Sequence, residues 1–303
     1  MKQPLFPYGN AICYSGYRKG QCPGVAYPSY QEVLEDLKIL SGRWTYLRLY
    51  DCSPHADIVL EVIQKERLPF KVMLGAYIDA EVNNHHCPWG GVHDEFVLQR
   101  NRRANEAEIR RLIELANQYK DIVMAVSVGN EATVDWNDHM VPVERVVQFA
   151  QEVKKAVQQP VTFCDNYVPW TNKLEPLVKV VDFISIHTYP EWEQKSIGQA
   201  LDYTKENYYS VANRYPDKPV IITEAGWTTM SNGRGIPPEL ANEANQKRYI
   251  TELMNWSAKM GLLTFIFEAF DEEWKGSADP HEPEKHWGLY TQERKPKAVA
   301  AGF

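Results

Sequence analysis

The sequence predicts an α/β fold of the (β/α)8 TIM-barrel type, in which eight parallel strands form a closed ring inside a ring of helices. Three observations support this prediction. Eight apolar segments rich in β-branched residues recur along the 303-residue chain, helical patterns separate them, and polar side chains stand at the ends of most of them. Because single barrels reach this length, we assign residues 1–303 to one barrel domain with extended rim loops.

The eight apolar segments have the composition of parallel strands that are buried on both faces. They lack the strict two-residue alternation of a strand with one exposed face, and they are rich in valine, isoleucine and aromatic residues. We predict strands at residues 9–14, 44–51, 70–78, 122–131, 160–166, 181–189, 219–227 and 262–272.

Helical patterns lie between these segments. Ser29 and Glu32 form a capping box, which predicts a helix over residues 29–40. Apolar stripes of helical period predict further helices, and the signal after the last strand is weak. An open, doubly wound sheet is the alternative fold, but no predicted strand is followed by a glycine-rich phosphate loop, which weakens it. The other helical patterns cover residues 105–120, 142–157 and 242–260, with a short apolar stretch, PKAVAA, near the end.

Composition and charge exclude several classes of protein. Hydrophobic residues make up 44% of the chain and charged residues 24%, as in ordinary globular proteins, and the formal net charge is −7. This charge disfavours nucleic acid and anionic membranes, so we expect neither as a partner. The five cysteines are scattered and odd in number, which argues against a disulfide framework. We expect a monomer.

The sequence leaves the cellular compartment open. No apolar run is long enough to span a membrane, and the N-terminal segment MKQPLFPYGN lacks the apolar centre of a signal peptide. The chain as written fits a cytoplasmic protein, whereas a signal removed beforehand would make it periplasmic or secreted.

The polar residues at the strand ends would meet on one rim, because barrels of this type carry their sites at the carboxyl ends of the strands. Such a rim would be rich in carboxylates and aromatic rings, but its residues lack the spacing of a metal site. We therefore expect no metal and no cofactor. The residues are Arg48, Tyr50, Asp51, Asn130, Glu131, Asp165, Asn166, Trp170, His187, Tyr189, Glu224, Trp227, Glu268, Asp271, Glu272, Trp274 and Lys275.

Two of these carboxylates, Glu131 after the fourth strand and Glu224 after the seventh, suit the cleavage of a glycosidic bond. A carboxylate at the edge of an apolar interior is costly unless it is paired or used. The fourth and seventh strands lie partly across the barrel from each other, so the two side chains can face one another. One carboxyl group would protonate the leaving oxygen and the other, ionised, would attack the anomeric carbon, at a separation of about 5–5.5 Å.

At these positions the sequence resembles glycoside hydrolase family 17, a family of β-1,3-glucanase barrels in the clan that carries its acid/base on strand four and its nucleophile on strand seven. The segments AICYSGY and YLRLYD resemble the first two strands of the family, VSVGNE its acid/base motif and ITEAGW its nucleophile motif. AFDEEWK resembles its strand-eight segment, with Asp271 in place of asparagine, and KHWGLY its closing motif.

The resemblance implies a retaining glycosidase acting on laminarin-type β-1,3-glucan or its oligosaccharides. Glu131 would be the general acid/base and Glu224 the nucleophile, with Asn130 holding the sugar 2-hydroxyl. The remaining roles that we assign concern substrate binding and the tuning of the carboxylates. They fall to Glu272 and Lys275, to Tyr189 as a hydrogen-bond donor to the nucleophile, and to Trp227 as the floor beneath the sugar at the cleavage point.

Several rim residues have alternative interpretations. Arg48 suits contact with substrate, alongside Tyr50, or a plain ion pair with Asp51. His187 suits a satisfied interior histidine. The indoles of Trp136, Trp170 and Trp274 suit either stacking on sugar or packing in the core.

Two segments would set specificity as rim loops. The segment 79–96 contains three histidines and Cys87, but their spacing fits no standard zinc site. The segment 79–96, which contains Trp89, could close one end of the groove. The long, aromatic segment 190–210 could do the same. We therefore expect cleavage of short oligosaccharides from one chain end.

Three other functions stay open at this point. The same residues would serve a transglycosylase that passes the glycosyl group to another sugar. An inactive glucan-binding barrel is disfavoured because both carboxylates are present. A metal-dependent hydrolase or a phosphate-using lyase would need a ligand set or phosphate loop, and the sequence has neither.

Overall fold

In the computed structural model, which describes residues 5–302, eight parallel strands form a closed barrel in chain order. The first strand pairs with the second on one side and with the eighth on the other, which excludes an open sheet. The (β/α)8 prediction is confirmed, and each strand lies within its predicted segment. The strands are β1 (Ala11–Cys13), β2 (Tyr46–Leu49), β3 (Lys71–Gly75), β4 (Val123–Asn130), β5 (Val161–Asn166), β6 (Ile184–His187), β7 (Val220–Gly226) and β8 (Thr264–Phe267).

Within residues 5–302, eight α-helices lie between the strands, and two 3-10 turns follow the last strand. The capping box of the first helix forms as predicted, with the Ser29 side chain and Glu32 satisfying each other's backbone groups. The helices are α1 (Tyr30–Leu40), α2 (Pro54–Glu66), α3 (Glu95–Gln118), α4 (Val143–Ala156), α5 (Tyr167–Asn172), α6 (Glu175–Val178), α7 (Ala200–Ala212) and α8 (Glu243–Met260), and the 3-10 turns are Pro283–Lys285 and Ala300–Gly302.

Helices α2, α5 and α6 were not predicted from the sequence. Two other differences, at α3 and α7, lie where the buried face of the helix is polar. α3 begins ten residues before residue 105, and there it buries Asn101, whose amide donates to the Ala80 carbonyl at 3.0 Å. The prediction of a long loop over 190–210 was wrong in its second half, which forms α7. Within α7 Asn207 donates to Thr188 at 2.9 Å, so an apolar stripe is not what anchors this helix.

The apolar interior has two layers. The larger fills the space between the strands and the surrounding helices, and the smaller fills the inside of the barrel. Burial on both faces explains why the strand segments lack two-residue alternation. The inner layer includes Cys13, Met73, Cys164, Phe183 and Phe265, and it extends to Phe267 at the carboxyl end of β8.

Two observations bear on the ends of the chain and on membranes. Residues 1–4, which begin the segment MKQPLFPYGN, and residue 303 lie outside the described residues. Along residues 5–302, no helix combines the length and the apolar character needed to cross a bilayer.

Candidate active site

The two carboxylates singled out in the sequence meet at the carboxyl end of the barrel, with a histidine between them. Nδ1 of His187 lies 2.7 Å from Oε1 of Glu131 and 3.5 Å from Oε2 of Glu224. Donor atoms of these three residues all lie within 4.8 Å of one another. Glu131 and Glu224 therefore share one pocket.

A glycine lets β4 bend just before it ends. The pairing register of β4 with β5 shifts between Ser127 and Asn130, and Gly129 occupies the bend. A Cβ atom at Gly129 would lie 2.8 Å from a ring carbon of Phe163 and 2.9 Å from Cδ1 of Ile78, closer than side-chain carbons pack. Glycine is therefore required here for steric reasons.

The backbone of Glu131 is held in an uncommon conformation. Its φ angle is +46°, in the left-handed region, which residues other than glycine rarely adopt. Its N–H donates to the Cys164 carbonyl at 2.8 Å, and its own carbonyl accepts from the Asn137 amide at 2.6 Å. Such conformations persist where surrounding contacts fix them, and they concentrate at functional sites.

Glu224 is buried in a shell of donors that favours its ionised form. Its side chain accepts from Nη1 of Arg48 at 2.5 Å and from the hydroxyl of Tyr189 at 2.5 Å. Burial favours the neutral carboxyl, but the charges of His187 and Arg48 and these hydrogen bonds outweigh burial and lower the pKa of Glu224. The carboxylate is thus held ready as an anion.

His187 is a cation at neutral pH. Burial opposes the charge on the ring, but the neighbouring acidic groups, chiefly Glu224, raise the pKa of His187 to about 10. The interpretation as a satisfied interior histidine accounts for its complete burial, but the residue also joins the two carboxylates.

Arg48 connects the nucleophile candidate to the neighbouring asparagine. Its Nη2 donates to Oδ1 of Asn130 at 2.5 Å, while the guanidinium lies 4.4 Å from the centre of the Tyr50 ring. The alternative of an ion pair with Asp51 was wrong, because Asp51 instead accepts from the backbone N–H of Ser53 at 3.1 Å. Arg48 points inward from β2, as the alternation along that strand requires.

The residues after β8 form a second charged cluster. Nζ of Lys275 lies 2.6 Å from Glu268 and 2.8 Å from Glu272, and both carboxylates are fully buried. Glu272 also accepts from the hydroxyl of Ser15 at 2.7 Å. Asp271, in contrast, pairs with Lys297 at 2.7 Å and is turned away from this cluster.

Sequence reasoning missed one carboxylate of the pocket, Glu284. Burial, opposed by Lys275 and reinforced by the charges of Glu131 and Glu224, raises the pKa of Glu284 to about 7. The signal was available, because Glu284 directly precedes the KHWGLY motif.

Two predicted substrate-binding tryptophans lie in the core instead. Trp170 and Trp227 are both 0% exposed, and their indole N–H groups donate to the carbonyls of Ser185 and Leu240 at 2.9 Å. Trp170 belongs to α5, and Trp227 follows β7 and packs on Tyr249 of α8. Both rings therefore face the layer of helices. Neither can be a platform for sugar.

This correction gives a stability prediction. We expect Trp170→Ala to lower the free energy of unfolding by about 3–5 kcal/mol, because it leaves a large cavity and an unpaired carbonyl. Trp136→Ala removes a side chain that is 41% exposed and should change it by less than about 0.5 kcal/mol. Urea unfolding of both variants provides the measurement, and equal effects would contradict the assignment.

Two exposed tryptophans, Trp89 and Trp136, lie on a rim wall, defined here as residues 79–94 and 132–141, whereas Trp274, 38% exposed, lies in the segment after β8. The amide of Asn84 donates to the carbonyls of Asp135 and Asn137 at 2.9 and 2.7 Å, and the Cys87 thiol donates to the Trp136 carbonyl. The two loops therefore form one unit. Since the wall also contacts the backbone of Asn130 and Glu131 through His139 and Asn137, it stands on the Glu131 side of the pocket.

The described part of the chain offers few groups of potential metal ligands. Within residues 5–302, three close His, Cys, Asp or Glu donors occur together only at Glu131, His187 and Glu224. The Arg48 guanidinium already pairs with Glu224, so one ligand of this set is engaged by a cation of the protein itself. The histidines of residues 79–96 do not form such a group, and all five cysteines are free thiols.

Comparison with known proteins agrees with this geometry. A family model described as the BtgE/BtgC glycoside hydrolase domain matches residues 11–288. A glucan 1,3-beta-glucosidase from Arthroderma benhamiae is 25% identical over 97% of this chain and 91% of its own length. A probable glucan endo-1,3-beta-glucosidase, btgC of Aspergillus terreus, is 26% identical over 86% of this chain but 40% of its own length.

Solved structures share the barrel. An endo-laminarinase from Formosa Hel1_33_131 superposes with a TM-score of 0.84 and 28% identity, over 96% of this chain and 85% of that one. A glycoside hydrolase family 17 beta-1,3-glucanosyltransferase from Rhizomucor miehei gives a TM-score of 0.75 and 22% identity over 96% of both chains. Because the glucanosyltransferase is only 22% identical, its similarity shows a shared fold and nothing about function.

Proposed function

The chain belongs to the BtgE/BtgC glycoside hydrolase domain family, and on that basis we propose that it is a retaining glycosidase that hydrolyses β-1,3-glucan chains or oligosaccharides. The names of the relatives, a glucan 1,3-beta-glucosidase and an endo-laminarinase, support this substrate. The observation that carries the reaction is the approach of Glu131 and Glu224, whose oxygens lie within 4.8 Å of each other.

This separation supports retention of configuration. Retaining glycosidases hold their two carboxyl groups about 5–5.5 Å apart, whereas inverting ones need about 6.5–9.5 Å to admit a water molecule between carboxylate and sugar. A covalent glycosyl-enzyme is the intermediate that the shorter distance allows.

The proposed reaction has two steps. First, Glu224 attacks the anomeric carbon, the bond to the leaving sugar breaks, and Glu131 gives its proton to the leaving oxygen. Next, Glu131 takes a proton from water, whose oxygen attacks the same carbon and releases Glu224. The two steps reverse the role of Glu131, because the carboxyl group that gives up its proton in the first step is the carboxylate that accepts a proton in the second.

The neighbouring residues have roles that follow from their contacts. Arg48 fixes Oδ1 of Asn130 at 2.5 Å, which leaves the Asn130 amide to donate to the 2-hydroxyl of the sugar. Lys275, paired with Glu268 and Glu272, supplies a positive charge that offsets these carboxylates and a donor for sugar hydroxyls. We propose Asn130 and Lys275 as residues that bind the substrate.

A time course on reduced laminarin and on short β-1,3-oligosaccharides tests the function. We expect NMR to detect the β-anomer of the new reducing end first, followed by mutarotation. An α-anomer appearing first would overturn the retaining mechanism. The rim wall supports action at a chain end, so one short product should dominate early, and a ladder of mixed oligomers in the first minutes would contradict end-wise cleavage.

Transfer to a sugar acceptor is the second candidate function, and the rim wall favours it. Since Glu131 protonates the leaving group, the side of the pocket next to Glu131 receives the leaving sugar and later the acceptor. Trp136 and Trp89 expose 41% and 55% of their surface on that wall. Exposed indole faces bind sugar rings and would compete with water for the intermediate.

We therefore expect Trp136→Ala to lower the ratio of transfer to hydrolysis roughly two- to tenfold, the effect of losing one aromatic contact. Product analysis at high oligosaccharide concentration measures this ratio. Tyr209→Ala, which removes a comparably exposed ring from α7, is the matched control and should leave the ratio unchanged. An unchanged ratio in Trp136→Ala would remove the support for an acceptor platform there.

A further inference from the structure

A second cavity opens beside the catalytic pocket, between the segments that follow β1 and β8. It has a volume of about 620 Å³ and is lined by residues from three segments, 20–22, 271–286 and 291–293. Ligand cavities in proteins typically have volumes of about 300–1,000 Å³, so this side cavity has room for part of a sugar chain. None of Glu131, His187 and Glu224 is among its lining residues.

Trp274 separates the side cavity from the charged cluster after β8. Its indole N–H donates to Oε1 of Glu272 at 3.1 Å, and its ring lies T-shaped to Tyr17 with 5.8 Å between the ring centres. These contacts fix the ring, yet the residue is 38% exposed and lines the side cavity. A fixed, exposed indole offers a flat apolar face on which a sugar ring can stack.

The side cavity also contains polar groups that are free to bind hydroxyl groups. Asp271 uses Oδ1 to accept from Lys297 at 2.7 Å and from the Gly288 N–H at 3.0 Å, whereas its Oδ2 lies 4.0 Å from Nδ1 of His286, beyond hydrogen-bond distance. The amide nitrogen of Gln292 has no hydrogen-bond partner within residues 5–302. Turning that amide toward a ligand therefore breaks no hydrogen bond of this nitrogen.

The charges around the side cavity favour a neutral ligand over an anion. Its lining residues include the carboxylates of Asp271, Glu273 and Glu293 and one lysine, Lys285. An excess of negative charge repels phosphate, sulfate and acidic sugars. An indole together with free hydrogen-bonding groups and no net positive charge suits the neutral glucose units of a glucan.

The wall of the side cavity is fixed in the absence of a ligand. Nζ of Lys285 is buried and donates to the backbone carbonyls of Glu273 and Lys275, the second at 2.7 Å. The Gly20 N–H donates to the Glu273 carboxylate at 2.9 Å, which joins the segment after β1 to the segment after β8. A wall held in this way loses little conformational entropy when a ligand binds.

The side cavity and the rim wall lie on opposite sides of the barrel mouth. In a closed ring of eight strands β4 stands opposite β8; the rim wall follows β3 and β4, whereas the side cavity follows β8 and β1. The reaction proposed above places the leaving sugar on the Glu131 side. The part of the chain that becomes attached to Glu224 therefore extends the other way, toward Trp274.

We propose that the side cavity binds glucose units of the β-1,3-glucan donor, on the non-reducing side of the bond that is cleaved, with Trp274 as the stacking surface. Because the rim wall limits the length of the leaving sugar, this arrangement removes short pieces from the reducing end of long chains. The inference rests on the function proposed above and adds to it the length and the direction of the substrate.

Filling the side cavity tests the proposal. Ala278 is exposed and lines the side cavity, so Ala278→Trp would occupy its space without touching the catalytic carboxylates. We expect kcat/KM on long β-1,3-glucan chains to fall about tenfold, while the value on an aryl β-glucoside, whose single sugar lies at the carboxylates, stays within about twofold. Met260→Trp, which adds an indole at an exposed position at the end of α8, is the matched control and should leave both values unchanged. An unchanged value on long chains in Ala278→Trp, or an equal loss on both substrates, would overturn the proposal.

Two substitutions of Trp274 separate the ring from its N–H. Trp274→Ala and Trp274→Phe both remove the donor to Glu272, but phenylalanine retains an aromatic face. We expect Trp274→Ala to lower kcat/KM on long chains about three- to tenfold more than Trp274→Phe does. Equal losses in the two variants would mean that the ring does not bind the chain.

Binding and product analysis distinguish a failure of this inference from a failure of the proposed function. Glu224→Gln lacks the nucleophile, and calorimetry should show that it binds β-1,3-oligosaccharides more tightly as they lengthen; adding Ala278→Trp should remove that gain. Early products from chains reduced at the reducing end should be short and carry the reduced unit, and short products without it would overturn the inference. An α-anomer from the parent would refute the proposed function, whereas a β-anomer with kcat/KM independent of chain length would refute this inference alone.

Discussion

Glu224→Ala should lose about a thousandfold or more of its activity on β-1,3-oligosaccharides, because no other group can attack the anomeric carbon and form the intermediate. Glu224 is 5% exposed and held by Arg48 and Tyr189 at 2.5 Å, so the substitution removes an oriented anion and leaves a small cavity at the same place. Circular dichroism and thermal unfolding would establish that the variant is folded, and Glu224→Gln is a second form that keeps the volume.

The cavity makes this prediction stereochemically specific. With an activated glycosyl substrate, azide should enter the space of the missing carboxylate and attack from the face that Glu224 used, which yields an α-glycosyl azide. Glu191→Gln is the matched control, because Glu191 is also fully buried, accepts from the Thr228 N–H at 2.7 Å, and has a pKa raised by burial to about 9, so it is already neutral. This control should keep its activity. A Glu224→Ala enzyme that turns over normally, or a β-azide from it, would exclude Glu224 as nucleophile.

The fold could be predicted from the sequence because its signals are local and repeated. Eight segments buried on both faces, and the Ser29–Glu32 capping box, each depend on neighbours along the chain. Two of the helix differences arose where a helix buries polar side chains: α3 buries Asn101, and α7 buries Asn207. Asn101 donates to a carbonyl and Asn207 to a hydroxyl, and neither can be distinguished in sequence from an asparagine that faces water.

The sequence predicted which residues lie at the rim of the barrel, because the rim is formed by the ends of the strands. Placement at the ends of β4 and β7 brought Glu131 and Glu224 to one rim, since parallel strands end on the same side. The position of a strand end does not indicate the direction in which the side chains near it point. Trp227, two residues after Ala225 of β7, turns outward to α8, and the inward-facing thiol of Cys164 is visible only once the barrel closes.

Glu131→Ala should affect substrates in proportion to how much their leaving group needs a proton. On β-1,3-oligosaccharides, whose leaving group is a sugar alkoxide, we expect a loss of about 10²–10⁴-fold, the usual contribution of general acid–base catalysis. Aryl glycosides with acidic phenols leave without protonation, so formation of the glycosyl-enzyme should remain fast. A burst of phenol followed by slow turnover should then appear, because the missing base delays attack by water.

Azide should speed the slow breakdown of the glycosyl-enzyme in Glu131→Ala. The anomer of its product should be opposite to that formed by Glu224→Ala. Azide needs no base, and it attacks the glycosyl-enzyme from the side that Glu131 vacates, which yields a β-glycosyl azide. The contacts of Glu131 give the reason to expect a folded variant: its N–H and carbonyl are held by Cys164 and Asn137 through backbone atoms that alanine retains. The left-handed φ of +46° is the remaining cost, and Glu131→Gln controls for it because it keeps a side chain of the same length. Equal losses on oligosaccharide and aryl substrates, in both variants, would mean that Glu131 supports the rim without transferring a proton.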